Sequence, residues 1–374
     1  MRLTWAEINL TAIHHNLNEI QNKIGEAKMI AIVKANAYGH GIIRTAKAAV
    51  DSNVAYLGVG FLEEGLLLRR RGFKIPILVL GGVFFHQVHE FIHNNLDITI
   101  SSLGLAYAVN REAQMLNKTA RVHLKFDTGF NRIGMHYDKA NEIFKRLIPL
   151  NNLQIVGIYS HFANSDEPDT PYTDIQFNRF CRVLEAAEKW KIRPQYRHIA
   201  CSGAIYYHNQ TYCNMVRAGL AMYGLYPSLN SPRTMNLKPV LSFKSRVVFL
   251  KTIPAGEPVS YGGTFVTDRT TRVATIPVGY GDGYTRRLSN NVEVLIHGKR
   301  FPVIGNICMD QIMVDINGDE SIKTGDEVVL YGRQGNATIS VEEIADRAGT
   351  IPYEITTWLA RRVPRIYIDV FDDK

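Results

Sequence analysis

Met29-Ile30-Ala31-Ile32-Val33-Lys34-Ala35-Asn36-Ala37-Tyr38-Gly39-His40-Gly41 is the stretch whose reading decides the fold. Its first five residues are apolar and run into turn-formers, the pattern of a strand buried on both faces, so Lys34 falls where strand gives way to loop. Burying an ammonium costs free energy unless it is paired or loses its proton. A desolvated lysine amine is also the nucleophile that forms Schiff bases with carbonyl compounds. The plainer reading is a strand-end lysine whose stem reaches out to water.

Working outward, the same pattern recurs. Short apolar runs at 29–33, 56–60, 77–80, 96–100, 122–126, 155–159, 196–200 and 215–218 alternate with segments of helical length, and Ile13, Leu17, Ile20 and Ile24 mark a helix before the first. Eight such runs match a parallel (β/α)8 barrel of the TIM type better than an open doubly wound sheet. The unit ends near Leu237, close to the roughly 250 residues typical of that barrel. Active-site groups of such barrels sit where the strands end. Lys34 ends strand one, Lys125 lies near the end of strand five with Arg132 beyond, His161 follows strand six, Ser202 strand seven, and Arg217 with Gly219 strand eight.

From Lys238 onward the strands are closely spaced: 243–252, 272–277, 292–296, 301–304, 312–316 and 327–331. His297-Gly298-Lys299 reads as a hairpin turn and Ser340-Val341-Glu342-Glu343 as a capping box. The expected domains are therefore a barrel over 1–237 and a mostly β domain over 238–374.

Composition narrows the function classes. A 46% hydrophobic content is ordinary for a globular chain, and no apolar run could serve as a secretory or membrane-spanning segment, so a cytoplasmic protein without membrane partners is expected. Cys181, Cys201, Cys213 and Cys308 are too scattered for a disulfide framework. The net charge of +8 favours anionic ligands, but no basic stripe interleaved with aromatics points to nucleic acid. His86, His89 and His93 share a helical face without a matching carboxylate cluster, so no metal site is expected. Gly58-Val59-Gly60 lacks the third glycine of a dinucleotide fingerprint, and there is no P-loop.

The set Val33 to Gly41, Lys125-Phe126-Asp127-Thr128-Gly129-Phe130-Asn131-Arg132, His161-Phe162-Ala163, Arg217-Ala218-Gly219-Leu220, Ser260-Tyr261-Gly262, Asn306-Ile307-Cys308-Met309-Asp310 and Pro352-Tyr353-Glu354 resembles the bacterial alanine racemase family, in the family's order and through nearly the whole chain. The resemblance implies pyridoxal 5'-phosphate held on Lys34, with Tyr38, Ser202, Gly219, Leu220 and Tyr353 around its phosphate. It implies Arg217 at the ring nitrogen, where an always-protonated guanidinium leaves that nitrogen unprotonated and weakens the electron sink. His161 would bridge Arg217 towards Tyr261 and supply positive charge there.

Racemisation needs a base on each face of Cα. Lys34 would serve one face and Tyr261 the other, the latter contributed by the second subunit of a homodimer with shared active sites. Arg132 would hold the substrate carboxylate, helped by Met309 and Asp310, while Tyr280 and Arg286 line the entrance. Lys125, a second cation beside Arg132, would be carbamylated, as in some family members. Two departures stand out: Cys201 where asparagine is usual before Ser202, and Gly281 where alanine is commoner.

The expected function is interconversion of L- and D-alanine, supplying D-alanine for peptidoglycan. The rivals are a serine or broad-specificity racemase, a basic amino-acid decarboxylase, and a noncatalytic cofactor-binding barrel. A decarboxylase would present a carboxylate to the ring nitrogen instead of Arg217, and a carrier would have no need of Tyr261.

Overall fold

The computed structural model describes residues 2–369; the outermost residues of the two expected domains, 1 and 370–374, lie outside the described residues. Parallel strands form at Lys28–Ile32, Tyr56–Val59, Ile77–Val79, Asp97–Ile100, Ala120–Asp127, Leu153–Tyr159, Tyr196–His198 and Met215–Ala218. Each falls on one of the eight apolar runs. They pair in chain order, and the eighth returns to the first with Arg217 opposite Ile30. The seventh and eighth are joined by the Arg217 N–H, which donates to Ala200 O at 3.0 Å. The sheet thus curls into a near-closed barrel, buried on both faces, which is why its strands read as unbroken apolar runs.

Helices cover the outside. Leu10–Ile24 starts at Asn9, whose side chain accepts from the Ala12 N–H, and it buries Ile13, Leu17, Ile20 and Ile24 at the spacing of one helical face.

The second unit is a mostly antiparallel sheet. Its strands lie in the order 249–253, 271–276, 312–315, 299–304, 293–296, 327–334, 241–246, 5–9, 365–368. The opening segment Trp5–Asn9 is thus a strand of this second sheet, antiparallel to 241–246 and parallel to 365–368. The run expected as one strand over 243–252 is two: Leu241–Arg246 near one end of the sheet and Phe249–Ile253 at the other. The division falls at Val247 and Val248, whose N–H groups donate in opposite directions, to Asp326 O at 2.9 Å and to Thr275 O at 2.9 Å. Hydropathy is continuous across that crossing and so does not mark it.

Local turn chemistry follows the sequence closely. Ile296 pairs with Lys299, leaving His297 and Gly298 as a two-residue loop with φ of 52° and 74°, the positive values a hairpin turn of this length prefers. Ser340 Oγ accepts from the Glu343 N–H at 3.0 Å and opens the helix Val341–Ala348. Among the described residues no helix is long and apolar enough to cross a membrane.

Candidate active site

Lys34 opens a single turn, Lys34–Tyr38, whose residues Ala35, Asn36, Ala37 and Tyr38 all have φ between 51° and 55°. This is a left-handed turn made without glycine, at a cost of about 1–2 kcal/mol per residue. Such strain persists only where the surroundings over-determine it. Here the Glu64 carboxylate accepts from Ala35 N at 2.6 Å and Gly60 N at 2.8 Å, while Asn36 Oδ1 accepts from Ile42 N at 3.0 Å. The buried His40 donates from Nδ1 to Ala37 O and Tyr38 O at 2.9 and 3.0 Å. Gly39 must be glycine twice over: its φ is 86°, and a Cβ there would lie 2.0 Å from Thr356 O on the helix Pro352–Thr357. The turn delivers Lys34 and Tyr38 to the same rim.

A cradle forms beside that turn. Ser202 Oγ accepts from Gly219 N at 3.0 Å and Ala221 N at 3.2 Å. A Cβ on Gly219 would sit 3.0 Å from Tyr38 Oη and 3.6 Å from Ser202 Oγ, so the missing side chain keeps two hydroxyls and a backbone edge within reach of one small volume. Tyr353, in the helix Pro352–Thr357 of the second unit, packs its ring 5.8 Å from that of Tyr38. Leu220 is buried just behind. Hydroxyls, backbone and space of this kind suit a phosphate ester.

Arg217 is 4% exposed and its hydrogen bonds are dense. Nη2 donates to Ser160 O, Ile199 O and His161 Nδ1 at 2.8, 2.8 and 2.9 Å, and Nη1 to His198 Nδ1 at 2.8 Å. A guanidinium only donates, so His161 Nδ1 must accept. Burial, then the charge of Arg217, pushes the His161 pKa well below the ordinary imidazole value. His161 is therefore neutral, which corrects the expectation that it supplies positive charge; it has a proton on Nε2 to donate instead.

Burial, then Arg132, lowers the Lys34 pKa, with Glu64 opposing and Arg217 adding. Lys125, 6% exposed, is pushed down to about 7 by burial and by the charges of Arg217, Arg132 and Lys34. Its Nζ lies 4.7 Å above the Tyr159 ring; Asp127 opposes the shift, but among the described residues no carboxylate forms a salt bridge with it. Arg132 lies over the Phe130 ring at 4.1 Å. One rim thus gathers Lys34, Lys125, Arg132 and Arg217, and its two amines titrate low.

The remaining candidates lie on the second unit, on its surface. Tyr261 is 72% exposed and Met309 52%. Tyr261 follows Ser260 at φ 64° and is fixed by its backbone: Asn306 Nδ2 donates to Tyr261 O at 2.6 Å. Asp310 is paired with Arg362 at 2.7 Å, and that same guanidinium reaches Met309 O. Tyr280 and Arg286 are exposed in the same unit, and Tyr280 N donates to Cys308 O at 3.1 Å.

Three residues of the rim's support carry no sequence assignment. His198 and Tyr159 stack at 4.8 Å beneath Arg217, and Glu64 caps the turn. A histidine inside the apolar run 196–200 was the available signal for His198, because a polar group in a buried strand needs a partner.

The residues 8–227 match the family model described as "Alanine racemase, N-terminal domain", and 240–367 match "Alanine racemase, C-terminal domain". The chain is 43% identical over 369 residues to the alanine racemase of Carboxydothermus hydrogenoformans, covering 98% of this chain and 100% of that one. Among solved structures it is similar to the alanine racemase of D-cycloserine-producing Streptomyces lavendulae, with a TM-score of 0.95, 35% identity and coverage of 100% and 98%. It is also similar to the alanine racemase of Bartonella henselae with covalently bound pyridoxal phosphate, with a TM-score of 0.89, 30% identity and coverage of 98% and 100%.

Proposed function

The chain belongs to the alanine racemase family, a pyridoxal-phosphate-dependent family whose activity it shares, and from that premise we propose which of its residues interconvert L- and D-alanine. The observation that carries the assignment is the rim itself: an amine held towards its neutral form at the end of the first strand, beside a cradle fit for a phosphate.

Lys34 is the residue that would hold pyridoxal phosphate covalently. Tyr38, Ser202, Gly219, Leu220 and Tyr353 would hold its phosphate, and Arg217, steadied by His161, would hold its ring nitrogen. When bound, the cofactor delocalises the electron pair left on Cα after proton removal. Every other task falls to the chain. The Lys34 amine takes or returns the Cα proton on one face, for which its lowered pKa suits it. Tyr261 of the partner subunit serves the opposite face, and the Nε2–H of the neutral His161 is a donor to its phenolic oxygen. Two copies of the chain form a homodimer in which each covers the other's rim. Arg132 pairs with the substrate carboxylate, and Met309 and Asp310 of the partner subunit complete the pocket, with Tyr280 and Arg286 at its mouth. Arg217, always protonated and without an acceptor, would leave the ring nitrogen unprotonated and so would limit the electron-withdrawing power the cofactor supplies.

Lys125 is carbamylated. Its neutral amine adds carbon dioxide, forming an N–C bond and losing one proton, and the resulting anion balances Arg132 and Arg217. The enzyme acts in the cytoplasm and feeds D-alanine to peptidoglycan synthesis.

The test is direct. Protein reconstituted with pyridoxal phosphate and reduced with borohydride should carry the cofactor mass on the peptide containing Lys34. It should also racemise alanine faster than serine or lysine. Cofactor mass on another lysine, or equal rates across the three amino acids, would overturn the assignment.

A further inference from the structure

Beneath Arg217 a line of side chains runs through the interior of the barrel to its opposite end. Arg217 Nη1 meets His198 Nδ1 at 2.8 Å and His198 Nε2 meets His123 Nδ1 at 3.1 Å, both hydrogen bonds; His123 Nε2, which has no hydrogen-bond partner among the described residues, faces Asp97 Oδ2 at 3.5 Å, an electrostatic contact. Asp97 is held by Arg121 at 2.9 and 3.1 Å and by Tyr56 Oη at 3.0 Å. His123, His198 and Asp97 are each 1% exposed or less.

Every proton in this line is determined by its first member. Arg217 cannot accept, so His198 Nδ1 accepts and the His198 proton sits on Nε2. That proton points at His123 Nδ1, which must accept in turn, so the His123 proton sits on Nε2 and faces the carboxylate. Protonating His123 on Nδ1 would set two N–H groups against each other; protonating His198 on Nδ1 would oppose it to Arg217. Both rings are therefore neutral, and all donors run one way, from guanidinium to carboxylate. Burial pushes the His198 pKa well below the usual value, and for Asp97 the nearby His123 ring and the hydrogen-bonded Arg121 guanidinium outweigh burial and hold its pKa low.

The barrel is shaped to admit the line. A Cβ on Gly157 would lie 2.1 Å from His123 Nδ1. The pairing of strands 120–127 and 153–159 slips by one residue between Val122 and His123, which sets His123 opposite Gly157.

We infer that His198, His123 and Asp97 are positioning residues for the racemase reaction, a one-directional relay of two hydrogen bonds closed by an electrostatic contact, through which a remote carboxylate orients Arg217 and balances its charge. Arg217 needs such help, being buried among Arg132, Lys125 and Lys34 with no carboxylate hydrogen-bonded to it among the described residues. Aligned hydrogen bonds polarise one another in a low-dielectric interior, as when a carboxylate behind an imidazole sets its tautomer and strengthens it as a ligand.

The inference rests on the reading of Arg217 as the ring-nitrogen partner, and the experiment separates the two. Nitrogen-15 spectra of the histidine-labelled full-length protein should place both rings, assigned with His198→Gln and His123→Gln, as Nε2–H tautomers. An Nδ1–H tautomer at either position overturns the relay. Asp97→Asn removes the charge, and Gly157→Ala displaces the His123 ring without touching a titratable group. Each should move the His198 ring resonances and lower kcat by on the order of 10–100-fold, the range seen when an outer partner of a liganding histidine is lost, with KM little changed. Should Arg217→Lys impair kcat while a folded Asp97→Asn leaves it intact, the relay fails and the reading of Arg217 stands. Should the tautomers be as stated while neither substitution alters kcat, both readings fail.

Discussion

The barrel rim and the loop face of the second sheet are opposites. On the rim, Lys125 and Arg217 are 6% and 4% exposed and the amines are driven towards neutrality by burial and by one another. On the loop face, Tyr261 and Met309 are 72% and 52% exposed, and their hydrogen bonds among the described residues are made by backbone atoms. Buried polar groups must be satisfied within the chain, whereas large apolar groups left in water call for cover from outside it. One region is finished by its own fold; under the proposed function the other completes a site by lying against the rim of a second copy.

The largest expected effect tests that division. Lys34→Ala and Tyr261→Phe should each be nearly inactive alone. Co-refolding the two should restore roughly a quarter of the wild-type rate, since half of a random mixture is heterodimer and each heterodimer holds one intact site of two. A mixture that stays inactive would place Tyr261 in the same chain's site and break the comparison.

Next in size is Tyr261→Phe by itself. Loss of a proton-transfer group costs on the order of 10²–10⁴-fold, so racemisation should fall within that range. Solvent deuterium should still enter the enantiomer whose Cα proton faces Lys34, measured by NMR exchange. Equal loss of exchange from both enantiomers would argue against bases on opposed faces.

A smaller effect sharpens the electrostatics of the rim. The folded Lys125 titrates at about 7 against 10.5 for an ordinary lysine, so between those values the unfolded chain binds more protons. Stability of the cofactor-free, bicarbonate-free protein should therefore rise as pH climbs through that window. Lys125→Met removes the penalty: it should raise the denaturation midpoint at neutral pH and gain progressively less towards pH 10.5. A midpoint lowered by Lys125→Met at pH 7 would contradict the buried-amine account.

The smallest effect concerns the turn under Lys34. Ala35 is exposed with φ 51°, and glycine there would relieve a left-handed penalty of about 1–2 kcal/mol while costing about 0.5–1 kcal/mol of unfolded-chain entropy. Ala35→Gly should thus stabilise the protein by about 0.5–1 kcal/mol in urea titration, with a looser Lys34 and reduced kcat. A destabilised Ala35→Gly would mean the turn is not strained.

What the sequence exposed was whatever repeats or is local. Eight buried strands advertise themselves as apolar runs because a parallel barrel is covered on both faces, and His297-Gly298 and Ser340 act through neighbours a few residues away. Lys34, Arg217 and Ser202 were legible because each follows or ends such a run. The left-handed turn at 35–38 was not, since alanine, asparagine and tyrosine give no sign of positive φ; contacts from Glu64, His40 and Thr356 impose it. His198 and His123 are illegible for a related reason: an isolated histidine in an apolar run does not reveal what it faces.

The chain's own order of residues therefore determined the barrel, the second strand-rich unit and the place of Lys34 at a strand end, because periodicity and turn chemistry depend on near neighbours. Only the tertiary structure decided that Trp5–Asn9 pairs with strands more than 200 residues away, that His161 and His198 are neutral, and that the Lys125 amine titrates near 7. Those properties arise from through-space electrostatics and desolvation, which depend on distances that sequence separation does not encode.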